Sequence, residues 1–242
     1  MLSYSVATTC STGGALHNIS YESRITIMST HEFRPILKIT VGCATFVALL
    51  QVRMAYTGAP TYAFLLWNLL LATLPLAFAG LVRLSVARAR GVAVLFSLLW
   101  LLFLPNAPYL ITDLIHIRYS DGGLVLVDAM LLLLAALCGL ALGLLSLRWM
   151  QTLAEGHWGA VAGRALALLS LALSGLGMAL GRTLRWNSWD LLTRPRLLLE
   201  MAGYVANPLS HWRLWGMTVL FAAVLIYVYW LVNETAAPET AT

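Results

Sequence analysis

Charge is what this chain lacks most. Only 10% of its 242 residues are Asp, Glu, Lys or Arg, against about 25% in an ordinary soluble domain. With 60% apolar residues beside so few charges, a water-soluble globular fold is excluded. Cysteine is scarce as well. Cys10, Cys43 and Cys138 are scattered without C-x-x-C spacing, and the last two fall in apolar runs, where free thiols pack as small hydrophobes. Neither a disulfide framework nor a cysteine metal site is therefore expected. There is no Walker loop, no HExxH and no GxSxG, which removes the enzyme classes those motifs define. An internal repeat of the kind that builds many transporters is also missing. So is the strand-length alternation of a membrane barrel.

What remains is long apolar runs. A mean hydropathy of +0.82 and runs of about 20 residues point to an all-α integral membrane protein. Six spans are expected: Ile36 to Val52, Tyr62 to Val82, Gly91 to Ile117, Leu124 to Leu147, Ala160 to Leu180, and Leu214 to Val232. They form one transmembrane domain over 31–233, with the lipid bilayer as its first partner. Residues 1–30 are polar and rich in Ser and Thr, and read as a disordered extension lacking the apolar core of a signal peptide. Met28, followed by STHEFRPILK, has the form of an internal start. Residues 234–242 read as a second disordered tail.

The net charge of +5 is not a nucleic-acid footprint, because the arginines cluster at span ends, where they report topology. With the amino terminus inside, eight basic residues fall on the cytoplasmic side and seven on the outer side. Five of those seven lie in one connection, Gly181 to Arg213. The compact RLSVARAR run between spans two and three is the clearest cytoplasmic signal, so both termini are expected inside.

Two stretches carry polar residues that a simple anchor does not need. The first, FLPNAPYLITDLIHI, runs from Phe103 to Ile117. Pro105 lacks a backbone donor and Pro108 disfavours helical angles at Ala107, so a break is expected over Leu104 to Ala107. A new helical piece then starts near Tyr109, with Asn106 capping its free amides. In that piece Asp113 and His116 share a face at a spacing of three. They suit a general base with its orienter, two metal ligands, or an ion pair steadying a kinked span.

The second stretch is GRTLRWNSWDLLTRP, Gly181 to Pro195. Arg182 and Arg185 on one face suit a phosphate or carboxylate, which arginine grips bidentately. Asn187 and Asp190 stand ready to position a nucleophile or metal. The same Arg and Trp content, with Trp186 and Trp189, also suits plain interfacial anchoring. Even-span counting brings both stretches to one membrane face. There Asp113, His116, Arg118, Asp121 and Asp128 meet Arg182, Arg185, Asn187 and Asp190 in an expected shared pocket. A short interfacial helix after Pro195, ending near Gly203, follows as either lid or surface tie. Ser170, Ser174, Gly177 and Gly181 read as a packing stripe, and Asn68 as an interhelical hydrogen bond or a cavity residue.

In these two motifs, PNAPY with a following TD and H, and GR with a following R and NSWD, the chain resembles a family of bacterial multi-pass membrane proteins of unknown function, DUF1361. The resemblance covers roughly Tyr62 to Trp230 and shows no departure within the motifs. It implies a bacterial inner (cytoplasmic) membrane protein and supplies no activity.

Three functions stand open. One is an enzyme at the outer face acting on an anionic, lipid-linked or otherwise amphiphilic substrate. Here Asp113, His116 and Asp190 are the catalytic candidates, and Asn106, Tyr109, Arg182, Arg185, Asn187 and Trp189 are the binding candidates. Another is a proton- or ion-coupled transporter or channel using Asp113, His116 and Asp128. The third is a non-catalytic subunit or scaffold of a membrane complex. No cofactor is identifiable, no metal is assigned, and the oligomeric state is not legible.

Overall fold

The computed structural model describes residues 30–235 apart from Asp121 and Pro195. Residues 1–29 (Met28 among them), residues 236–242 and those two therefore lie outside it, while Thr30, Glu234 and Thr235 of the expected tails belong to helices. The described residues are helical, without strands: α1 (Thr30–Thr57), α2 (Phe64–Ser85), α3 (Arg90–Phe103) and the short α4 (Asn106–Tyr109) are followed by a 3₁₀ helix (Leu110–Tyr119). Then come α5 (Val125–Trp158), α6 (Ala160–Leu184), α7 (Ser188–Thr193), α8 (Leu197–Ala206) and α9 (Trp212–Thr235).

Six segments are long and apolar enough to cross a bilayer, and they coincide with the six expected spans. Their ends differ mainly where polar residues extend a helix past the hydrocarbon. At 34 residues, α5 is about 51 Å long, well beyond a hydrocarbon core of about 30 Å. Its last turns carry Gln151, Glu155 and His157, and Tyr229 on α9 donates a hydrogen bond to Gln151 Oε1 at 2.8 Å. The interfacial helix α8 runs through Gly203 to Ala206 rather than stopping there.

The hub is α5, which packs against α1, α2, α4, the 3₁₀ helix and α6. Around it, α3 leans chiefly on α2, and α9 on α6. Small residues permit the closest approaches. Gly139 on α5 faces the Ala107 carbonyl, and a Cβ at Gly177 on α6 would fall 2.6 Å from Pro105 Cγ. The stripe on α6 is thus packing, as its spacing suggests, but its partner at Gly177 is the proline break itself.

At that break the structure corrects the sequence reading. Pro105 keeps right-handed helical angles (φ −59°, ψ −25°), and Ala107 lies inside α4. The chain does not leave the helical path; it tightens. Missing N–H groups at Pro105 and Pro108 deny the ladder two bonds, and the strand of helix beyond adopts the 3₁₀ pattern, which uses nearer carbonyls. Neighbouring carbonyls at the break are taken up individually. Leu104 accepts from Ala107 N at 3.2 Å, Phe103 from Asn106 Nδ2 at 3.0 Å, and Leu102 from Ser188 Oγ at 2.9 Å. Asn106 is therefore no cap for free amides. Its side chain donates to the Phe103 carbonyl and to Ser188 Oγ (2.9 Å), the need at membrane depth being for donors.

Candidate functional site

The second half of the broken span and the end of α6 enclose a cavity of about 890 Å³, within the ~300–1,000 Å³ typical of small-molecule sites. Asn106, Tyr109, Asp113, His116, Arg182, Arg185 and Asn187 all line it. Of the residues expected to meet by even-span counting, Asp113, His116, Arg118, Arg182, Arg185 and Asn187 share this cavity, and Asp128 and Asp190 do not.

At its centre is Asp113, 2% exposed. Burying a carboxylate demands partners, and the nearest is Asn68 on α2, whose Nδ2 donates to Asp113 Oδ2 at 2.7 Å. The other oxygen faces Arg182 Nη1 and His116 Nδ1, each at 3.8 Å. Both are attractive, and both lie beyond hydrogen-bond length. His116 is steered differently from the sequence expectation. Its Nδ1 lies 3.0 Å from the Asp113 backbone oxygen. A carbonyl only accepts, so Nδ1 carries a proton and serves as the donor. The ring rests against Phe64, with centroids 4.8 Å apart. Its main chain is held by the Tyr62 hydroxyl, which donates to the His116 carbonyl at 3.3 Å.

Arg185 reaches the cavity by an unusual backbone. It ends α6 in the left-handed conformation (φ 57°, ψ 31°), a position helices normally give to glycine. Among the described residues it alone combines a side chain with positive φ, at a cost of about 1–2 kcal/mol. Because α6 stops at Leu184, the GRTLRWNSWD motif is not one helix. The turn after it sends Trp186 against Tyr204 on α8, edge to face at 5.8 Å, and starts α7 at Ser188. Arg118 adds a third guanidinium to the lining, donating to the Tyr119 hydroxyl at 3.0 Å.

Two candidates stand apart from the cavity. Asp190 closes a capping box on α7: its Oδ2 accepts from the Asn187 backbone N–H at 2.8 Å and from Asn187 Nδ2 at 3.2 Å. Trp189 packs on Trp67 of α2, ring centroids 6.2 Å apart. Neither lines the pocket.

Asp128 also departs from expectation. Fully buried, it receives Arg53 Nε at 3.0 Å and Nη2 at 3.1 Å, plus Ser120 Oγ at 2.6 Å. Arg53 in turn sits over the Tyr62 ring at 4.7 Å. This is a closed clasp joining α1 to α5, outside the cavity.

Sequence reading undervalued Arg53 and Ser188, whereas Asn68, read as an interhelical hydrogen bond or a cavity residue, is both. Arg53 was legible as a charge at the end of an apolar run, where a buried partner is the rule. Ser188 lay within a motif, but nothing in its spacing pointed to Leu102. Among the described residues no three His, Cys, Asp or Glu side chains gather as a metal cluster.

Fold and site together define a polytopic, six-span helical membrane protein with a cationic cavity at one end of its bundle. The family described as "Protein of unknown function (DUF1361)" matches residues 67–228, and the chain belongs to that family. No curated protein and no solved structure matches it.

Proposed function

We propose that the protein is a membrane-embedded enzyme that holds an anionic head group between Arg182 and Arg185 and moves a proton on it with His116. The observation that carries this reading is the lining itself: three guanidiniums and one imidazole share a cavity with a single buried carboxylate. Arg182 is held off at 3.8 Å from the one buried carboxylate and Arg185 lines the same cavity, so both offer charge to a ligand, and guanidinium is the side chain best shaped for phosphate or carboxylate. His116 Nε2 takes the proton of an attacking hydroxyl or water as the new bond to the head group forms. The head group's ester oxygen leaves and receives that proton back from His116, and the arginines stabilise the charge that develops meanwhile. Asp113 is a positioning residue: its carbonyl fixes the imidazole and its carboxylate steers Arg182. Asn106 and Ser188 hold the break open as one wall. In this reading the cavity faces the outer side of a bacterial inner membrane, with both termini inside. The transport alternative loses appeal because Asp128, its third titratable group, is locked to Arg53 away from the cavity.

Lipid and glycan profiling of a deletion strain tests the reading. One anionic amphiphile should accumulate, cleared by the wild-type gene and by Asp190→Asn, but not by His116→Ala or Arg185→Ala expressed at equal membrane levels. Full clearance by His116→Ala would overturn the acid–base role.

A further inference from the structure

The cavity has a second, apolar half. Leu98 on α3 and Leu173 on α6 both line it, yet are 61% and 48% exposed. In a membrane-spanning helix, exposure at that depth is exposure to lipid. The two helices that frame this half are braced elsewhere, α3 on α2, and α6 on α5 and α9. A slot lined by leucines therefore opens sideways from the cavity into the bilayer. Its length fits a leaflet. The nine positions from Leu173 to Arg182 rise about 14 Å along a helix, close to half of a hydrocarbon core of about 30 Å. A guanidinium at the polar end and leucines at the open end match a head group and a chain in the same register.

From this we infer that the ligand is a lipid of the adjoining leaflet whose phosphate head group carries net negative charge, admitted laterally between α3 and α6. Its phosphate lies against Arg182 and Arg185, and its chain runs past Leu173 and Leu98. The inference rests on the anion-gripping role proposed above, to which it adds the substrate class and the route. A water-borne phosphate needs no leucine slot, and an unspecific boundary lipid needs no arginines.

The full chain in phosphatidylcholine nanodiscs, doped with phosphatidic acid bearing a diazirine on its acyl chain, provides the test. Irradiation should label peptides of α3 and α6. Labelling should fall to the level of a diazirine phosphatidylcholine probe in Arg182→Gln/Arg185→Gln, and be lost in Leu98→Trp/Leu173→Trp. Excess glycerol 3-phosphate should not reduce it. Leu98→Phe alone, which crowds the slot less, serves if the double tryptophan variant unfolds, and should reduce labelling partially. Full labelling in the slot variants, or competition by glycerol 3-phosphate, overturns lateral admission while leaving the anion grip intact. Labelling that ignores the arginine changes overturns the grip and marks the slot as boundary-lipid contact.

Discussion

Two buried carboxylates, Asp113 and Asp128, lie fifteen positions apart in the chain and do opposite things. Asp128 is saturated: a bidentate arginine and a serine occupy both oxygens at 2.6–3.1 Å. Asp113 has one short bond, to Asn68 at 2.7 Å, and a guanidinium and an imidazole held off at 3.8 Å. The first is a fastener between α1 and α5. The second sits in a cavity with attraction left unspent. Burial alone, which is nearly equal for the two (0% and 2% exposed), does not distinguish a structural acid from a functional one. Completeness of the partner set does.

Breaking the saturated pair should have the largest effect. Arg53→Ala leaves the Asp128 charge buried with only Ser120 and the Tyr62 hydroxyl nearby, and removing one member of a buried pair typically costs about 3–5 kcal/mol. The melting temperature in detergent should drop further for Arg53→Ala than for any cavity variant. Lipid binding should be spared in whatever fraction stays folded. If Arg53→Ala melts like wild type, the clasp is not a fastener.

Asn68→Ala is the matching cut on the other side. It removes the one short hydrogen bond to Asp113, and bonds to charged groups are worth about 1.5–3 kcal/mol. The expected loss is smaller than for Arg53→Ala because Arg182 and His116 lie near enough to move in. A melting temperature loss as large as that of Arg53→Ala would erase the distinction between the two acids.

Much of this was legible in the chain, and the failures share a cause. The spans followed from the length of apolar runs, since the bilayer fixes what a run of about 20 such residues must do. Meeting of the two polar motifs followed from counting, because alternate span ends share a face. Side-chain bonding across helices did not follow. Asp128 and Asp113 look alike in sequence, and only the facing of Arg53 and Asn68 separates them. The reading of Asp190 failed for a different reason, because a local signal was available. Asn187 and Asp190 at a spacing of three form a capping box, a pattern that Asn-x-x-Asp before a helix advertises. The prolines misled through a rule that is only a tendency: at Ala107 the packing of Gly139 and Gly177 around the break keeps the chain helical where the local preference is extended.

Arg182→Gln should separate stability from function. Arg182 is 24% exposed at its side chain and 3.8 Å from Asp113 Oδ1, so losing the pair should cost no more than about 1 kcal/mol. Clearance of the accumulated amphiphile in the complemented strain should nonetheless be lost. Melting temperature and clearance measured on the same preparation check this. A variant that clears normally would show that Arg185 and Arg118 suffice for the anion.

The smallest effect on stability, and the most telling sign, belongs to Arg185→Gly. Left-handed backbone at φ 57° costs a residue with a side chain about 1–2 kcal/mol that glycine does not incur. Glycine gives back about 0.4–1 kcal/mol of that through the greater freedom of its unfolded chain. The balance favours the variant slightly, so its melting temperature should equal or exceed that of wild type. Binding of the head group should meanwhile be lost with the guanidinium. That outcome would mean that this residue, placed at the rim of a cationic cavity, is held there by what it binds and not by what it adds to the fold. A marked fall in melting temperature would instead mean that the Arg185 side chain braces the end of α6, and the strain at this position would lose its functional meaning.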